Sequence, residues 1–170
     1  MKFQGSDLTA LATGEVKLPR PDGGVLTFKV RATSLGDEAK GERLFPNPRP
    51  PVDFMYDRKG TIVRDQRTDS PLREPNIFDE QYLKRLEEAA LMQMVVSTVD
   101  ALALDTNIEW ATDAARDSRG FYEACLTEMK AAGLTFGDMK LVMQRARELG
   151  NLDSKTLEKA AEGFSAKGDA

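Results

Sequence analysis

Apolar residues change their period along this chain. In residues 15–18 and again in 25–32 they alternate with polar ones, which puts Leu26, Phe28, Val30 and Ala32 on one side of an extended strand. The intervening PRPDGG is rich in turn formers, so the two runs predict a β-hairpin with a longer loop. A lone hairpin is marginally stable and has to pack on something or gain strands. Ahead of it, Ser6 or Asp7 marks the start of a short helical turn. After it, Ser34 or Asp37 can cap a short helix to Arg43, anchored by Leu35, Ala39 and Leu44.

Residues 46–75 break the pattern, for six of the eight prolines fall there. Residues 52–56 and 61–63 flank Asp57-Arg58-Lys59-Gly60, a turn with glycine at its natural place, which predicts a second small hairpin. Two readings stay open. In one, the stretch is a surface excursion whose Phe45, Phe54, Tyr56 and Phe78 pack on the core. In the other, it is a mobile arm whose aromatic and polyproline segments dock a partner.

Beyond Pro75 there is no proline and the spacing turns helical. Asp79 can cap a helix with Leu83, Leu86, Ala90, Met94 and Ser97 in one stripe, widened by Leu91, Val95, Val99 and Leu102. So broad an apolar surface predicts the central, most buried helix, ending at residues 105–107. Thr106 and Glu109 read as a capping box for a following turn that carries Trp110. A third helix runs from Asp113 or Ser118 to Ala132 with Phe121, Cys125 and Met129 inward, and Gly133 is placed to terminate it. Thr135 and Asp138 then cap a helix whose Met139, Val142, Met143, Ala146 and Leu149 share a face. Gly150-Asn151 stops it, and Asp153 or Ser154 begins a last helix with Leu157, Ala160, Ala161 and Phe164 inward. The expected fold is α+β and mostly α. It has a β-rich part over 1–44, a Pro-rich arm or second hairpin over 45–78, a bundle of about four helices over 79–164 and a flexible tail over 165–170.

Charge and composition narrow the functions this fold can serve. The net charge is −4; residues 1–78 hold 13 basic and 11 acidic side chains, and 79–170 hold 11 and 17. An acidic helical half argues against nucleic acid, whose binding rests on neutralising phosphates. There is no histidine, which removes the commonest general base and metal ligand, and the single cysteine, Cys125, reads as a buried thiol. Glycine-rich phosphate loops, calcium loops around Asp57, Asp65 and Asp69, and any nucleophile–base–orienter set are missing. The expectation is a protein that is not an enzyme and needs no cofactor and no metal. The N-terminal stretch lacks an apolar signal-peptide core, and the apolar run 89–104 is too polar to span a bilayer, so a soluble intracellular protein is expected. Met92 and Met94, two residues apart, cannot share one helix face, so at least one marks a second apolar surface.

The segment Phe121-Tyr122 followed by LTEMKAAGLTFGDMKLVMQRARELGNLDSKTLEKAAEGF resembles the tail assembly chaperones of long-tailed, siphovirus-type bacteriophages. The resemblance rests on an aromatic helix, a KAAG stop, a GD helix start and an LEKA ending, and covers roughly 45 residues in a helix-turn-helix pattern of a kind that recurs widely. It implies a non-catalytic adaptor, acting in the host cell cytoplasm, that binds the tape measure protein, keeps it soluble and helps recruit tail tube protein, with self-association a further possibility. The competing expectations are a minor structural tail or head–tail component retained in the virion, and a regulatory binding module. Phe54, Tyr56, Met92, Met94 and Met143 are the expected partner-binding residues, the methionines beside a groove between the central helix and the last two.

Overall fold

A computed structural model describes residues 12–150 together with Lys2–Phe3 and Ser6–Asp7. The fold is α+β, with small two-stranded antiparallel sheets and, among the described residues, four helices. The last expected helix, from 154 to 164, and the tail lie outside the described residues. The chain forms two compact units, Met1–Phe45 with Met92–Ala170, and Pro46–Leu91.

The first unit is built on the expected hairpin, β3 (Thr13–Pro19) and β4 (Val25–Arg31), following the short pair β1 (Lys2–Phe3) and β2 (Ser6–Asp7). Ser6 and Asp7 pair with Phe3 and Lys2 as strand, where the sequence suggested a helical turn. The β3–β4 loop closes through Gly23 N–H to Arg20 O at 3.0 Å and Arg20 N–H to Gly24 O at 2.8 Å, with Gly23 at φ +83°. That left-handed value is open to glycine without steric cost. Alternation buries Val16, Leu18, Val30 and Ala32, whereas Leu26, at the loop end, stays exposed.

What stabilises the hairpin is α4 (Phe136–Leu149), whose buried Met139, Val142 and Ala146 lie one helical turn apart. Val16, Leu18, Val30, Val142 and Ala146 join Ala101 and Leu102 in the core, with Phe28, Ile108 and Leu149 packed against it. Polar ties fix the helix to the hairpin along its length. Arg20 Nη1 donates to Asp138 at 2.9 Å near the start, Arg145 Nε to Glu15 O at 3.2 Å, and Thr33 N–H to Ala146 O at 3.2 Å near the end. A Cβ on Gly14 would meet Leu149 at 3.1 Å, so the hairpin and helix come together where β3 has no side chain.

Local signals set the ends of α4 as read from the sequence. Asp138 N–H donates to Thr135 Oγ1 at 3.2 Å and Thr135 N–H to Asp138 Oδ2 at 2.8 Å, a reciprocal capping box. The preceding α3 (Arg119–Ala131) ends on Gly133 at φ +75°, with Leu134 N–H bonded to Met129 O and Gly133 N–H to Lys130 O. Those two bonds are the Schellman arrangement. Ser118, one of the two starts considered, caps α3, and Gly120 falls inside it.

Two expectations about the helical half are corrected. α2 (Glu80–Ala101), started by Asp79, is buried only from Val95 onward; Leu83 and Ala90 of its expected stripe are exposed. The boundary between the two units falls within it, between Leu91 and Met92, so its exposed first half belongs to the Pro46–Leu91 unit and its buried end to the other. No capped helical turn forms at Trp110. Asp105 takes over that segment instead: its Oδ1 accepts Asn107 N–H at 2.9 Å and its Oδ2 accepts Lys29 N–H of β4 at 2.7 Å. α1 (Leu35–Leu44) forms as expected after Ser34, whose N–H donates to Asp37 at 2.7 Å, and Phe45 is buried beyond it.

The second unit replaces the expected simple hairpin with a three-armed junction. β5 (Val52–Phe54) pairs with β6 (Arg73–Pro75), Tyr56 bridges Ile62, and Arg64 bridges Pro71. At the centre three backbone groups close a ring: Met55 N–H to Leu72 O, Leu72 N–H to Val63 O, and Val63 N–H to Met55 O, at 3.0, 2.9 and 2.9 Å. Two arms turn on aspartates. Asp57 Oδ1 accepts Lys59 and Thr61 N–H, and Asp65 Oδ1 accepts Arg67 and Thr68 N–H, which is the side-chain mimicry of a backbone turn that short acids provide. Asn76 closes the third arm by donating to Pro51 O and to Asp53.

Removing the apolar anchor or the helix cap should register separately. Leu18→Ala should cost about 2–5 kcal/mol, and Thr135→Ala about 1 kcal/mol. Urea unfolding of each variant, followed by far-UV circular dichroism, checks both.

Candidate functional site

Two places in the first unit and one in the second carry side chains arranged for more than simple core packing. The first is a buried charge centre. Asp100, 6% exposed in the last turn of α2, receives Lys40 Nζ of α1 on both carboxylate oxygens at 3.1 and 2.8 Å. Tyr122 of α3, fully buried, donates its hydroxyl toward Asp100 Oδ1 at 3.0 Å and lies 3.1 Å from Asp117 Oδ1, which also pairs with Lys40. Lys40 Nζ lies 5.2 Å from the Tyr122 ring centroid. Next to it, Arg31 of β4 donates Nε to the Asp100 carbonyl at 2.6 Å and grips Asp37 with both terminal nitrogens at 3.1 and 3.0 Å. One strand and three helices meet there.

The electrostatics keep these groups in one protonation state. Burial alone would favour neutral Lys40, but the hydrogen bonds it donates to Asp100 and Asp117 outweigh it and hold its pKa above the ordinary lysine value. Burial and the Asp100 charge push Tyr122 upward. The Lys40 ammonium holds Asp117 below the usual carboxylate range; Asp37 is held low because bonds from Arg31 and Ser34 overcome its burial. At neutral pH the centre is an ammonium and a phenol matched to carboxylates, the arrangement of a structural clamp. Cys125 is buried beside it on α3 and pushed up to about 12 by burial and then by Glu128, which leaves it a thiol.

The second place is an apolar cavity of about 340 Å³, within the size range of small-ligand pockets, lined chiefly by Leu26, Phe28, Leu102, Ile108, Trp110 and Leu134. Glu128, at its wall, accepts Ala111 N–H at 2.8 Å and fixes the loop that carries Trp110.

The third lies on the three-armed unit, which leaves several of its larger apolar side chains in solvent. Val52 is 57%, Tyr56 60% and Phe78 83% exposed, and Phe54 sits at the margin of exposure with the Arg73 guanidinium 4.9 Å from its ring centroid. Of the four aromatics expected to pack on the core, only Phe45 is buried. A small unit with this much uncovered aromatic surface has the composition of an interaction site.

The expected partner-binding residues distribute over both units. Phe54 and Tyr56 are alternate residues of one extended segment, so they share a face. Met92 and Met94 lie half-buried in α2, and Met143 half-buried in α4, whose apolar face is turned onto the hairpin. Sequence reasoning missed Lys40, Asp100 and Tyr122 as a set. The available signal was Asp100 itself, a charge on the inward side of an apolar run, which calls for a buried partner.

Among the described residues no group of three or more His, Cys, Asp or Glu is placed to hold a metal ion, and no helix is long and apolar enough to cross a membrane. Comparison with known protein families, with characterised proteins and with solved structures finds no match to this chain.

The clamp and the Arg20–Asp138 pair together make a pH prediction. Asp37, Asp117 and Asp138 take up protons more readily unfolded, at an ordinary value of 3.8, than folded. Their contribution to stability is therefore complete above pH 3.8 and is lost as pH falls through the lower folded values. Lys40 is the mirror case: its contribution is complete below 10.5 and lost as pH rises above it. The thermal midpoint should plateau at neutral pH and drop toward both limits. Lys40→Met should cost about 3–5 kcal/mol by stranding the buried Asp100, with the alkaline decline reduced to the share of Tyr122 and Cys125, which are also pushed upward in the fold; chemical denaturation across pH measures both.

Proposed function

We propose that this protein is a non-catalytic adaptor of the bacteriophage tail assembly chaperone type, which binds the tape measure protein, keeps it soluble and brings tail tube subunits to it. The observation that carries the reading is the uncovered apolar surface of the 46–91 unit: Val52, Phe54, Tyr56, Ile77, Phe78 and Leu83 are all exposed. A holdase needs apolar surface that stays presented without collapsing the protein that presents it. Backbone hydrogen bonds and aspartate turns hold this unit's shape, so its aromatics are left free for a partner. The helical segment 119–149, which holds the first part of the sequence resemblance, belongs to the other unit and supplies the capped, tied framework; the LEKA ending lies outside the described residues. Met92, Met94 and Met143 offer adaptable half-buried edges there.

The test is co-expression with the tape measure gene from the same genome. The soluble fraction of that partner should rise several-fold with the wild-type chain, and Phe54→Ser/Tyr56→Ser should abolish most of the gain while leaving the chain's own melting curve unchanged. A partner no more soluble with the protein than without it rejects the chaperone reading. Mass spectrometry of purified virions separates the retained structural component: a chaperone is missing from the particle, a structural protein is present in many copies.

A further inference from the structure

The three-armed unit sorts its charge by face. Each of its segments is extended, so side chains alternate between two sides. Val52, Phe54 and Tyr56 share one side with their cross-strand partners Pro75, Arg73 and Ile62, and the remaining bridge adds Arg64 and Pro71. The 4.9 Å stacking of Arg73 on Phe54 fits that assignment. The intervening residues Asp53, Asp65 and Glu74 alternate to the opposite side, with the half-buried Met55, Val63 and Leu72 of the central ring. One face is thus aromatic, aliphatic and cationic, and the strand carboxylates are on the other.

The two cations differ in how free they are. Arg64 reaches across its own turn to Asp69, donating to its carbonyl at 2.8 Å with the carboxylate at 3.5 Å. Arg73 has no carboxylate partner among the described residues. A guanidinium stacked on an aromatic ring still presents its nitrogen donors at the edge, in the fork that matches a carboxylate.

We propose that this face is the docking site for a protein segment in which apolar side chains are flanked by carboxylates, with Phe54 and Tyr56 taking the apolar side chains and Arg73 pairing with an acid. The inference rests on the adaptor reading and adds the chemistry by which the partner is chosen. Charge complementarity selects the occupant. Two arginines amid Val, Ile and Pro are too few for the multiple phosphate contacts that nucleic-acid binding rests on. The same scarcity, on a chain of net charge −4, disfavours an anionic membrane, where each basic residue adds only about 1 kcal/mol. Tyr, Phe and Arg together are the residue types that dominate protein–protein binding energy.

The probes are two synthetic amphipathic peptides with identical leucine positions, one carrying glutamate and the other lysine at the flanking sites. Each is titrated into the full-length protein by fluorescence anisotropy and by amide chemical-shift mapping. The glutamate peptide should bind at least tenfold more tightly, with shifts centred on residues 52–56, 62 and 73. Tyr56→Ala should weaken it, and Arg73→Glu should reverse the preference toward lysine. All the substituted side chains are exposed, and an unchanged thermal midpoint verifies that each variant folds. Equal affinity for the two peptides overturns the proposal, as does a lysine preference in the wild type or a shift map centred on the Trp110 cavity. Binding of phosphatidylglycerol vesicles or a single-stranded oligonucleotide at this face in preference to the glutamate peptide overturns it too. If the peptides fail while the tape measure protein is still kept soluble, this inference falls and the adaptor reading stands.

Discussion

A carboxylate taken out of water must be matched by donors, and Asp100 is matched by groups from three other elements. Lys40 and Tyr122 meet on its side chain, Arg31 meets its carbonyl, and Asp117 holds the same Lys40 and Tyr122 from beside it. The desolvation penalty for a buried charge is large enough that none of these elements can shift independently without exposing an unmatched group. The clamp therefore sets where α1 and α3 lie relative to the hairpin, while α4 is set by its own apolar face and by Arg20 on Asp138. The described part of this unit is small, and its apolar core is correspondingly modest; polar locks of this kind supply uniqueness of arrangement that packing alone leaves open.

What could be read from the sequence was whatever is decided within a few residues. The alternation of Val16, Leu18 and Val30 gave the hairpin, Thr135 with Asp138 gave the start of α4, and Gly133 gave the end of α3. Each depends on one turn or one strand's pleat. The charge centre joins Lys40 to Asp100 and Tyr122 across long stretches of chain, and no local spacing encodes such a meeting. The Trp110 segment misled because Thr106 and Glu109 have the spacing of a capping box. Asp105 outcompeted that box by satisfying a strand N–H on β4.

The Pro-rich stretch was legible in part. The Asp57–Gly60 turn formed as read, but β5 found its partner at β6, beyond two further turns, and not in the adjacent segment. Asp57 and Asp65, which in sequence invite a search for a calcium loop, are turn-makers. The exposed aromatics belong to the same explanation: a unit shaped by main-chain bonds does not have to bury Phe54 or Tyr56 to hold its form.

The closed ring at Met55, Val63 and Leu72 has a consequence for how such a protein can change. Main-chain groups are common to every residue but proline, so a fold secured through them is indifferent to most of the letters written on its outer face. If that face docks a partner as proposed, substitutions at 52, 54, 56, 62 or 73 would alter what it recognises while leaving intact the bonds that present it. Recognition and foldability are thereby assigned to different atoms of the same short segment. Lineages carrying this unit could follow a drifting partner residue by residue, each intermediate still a folded protein.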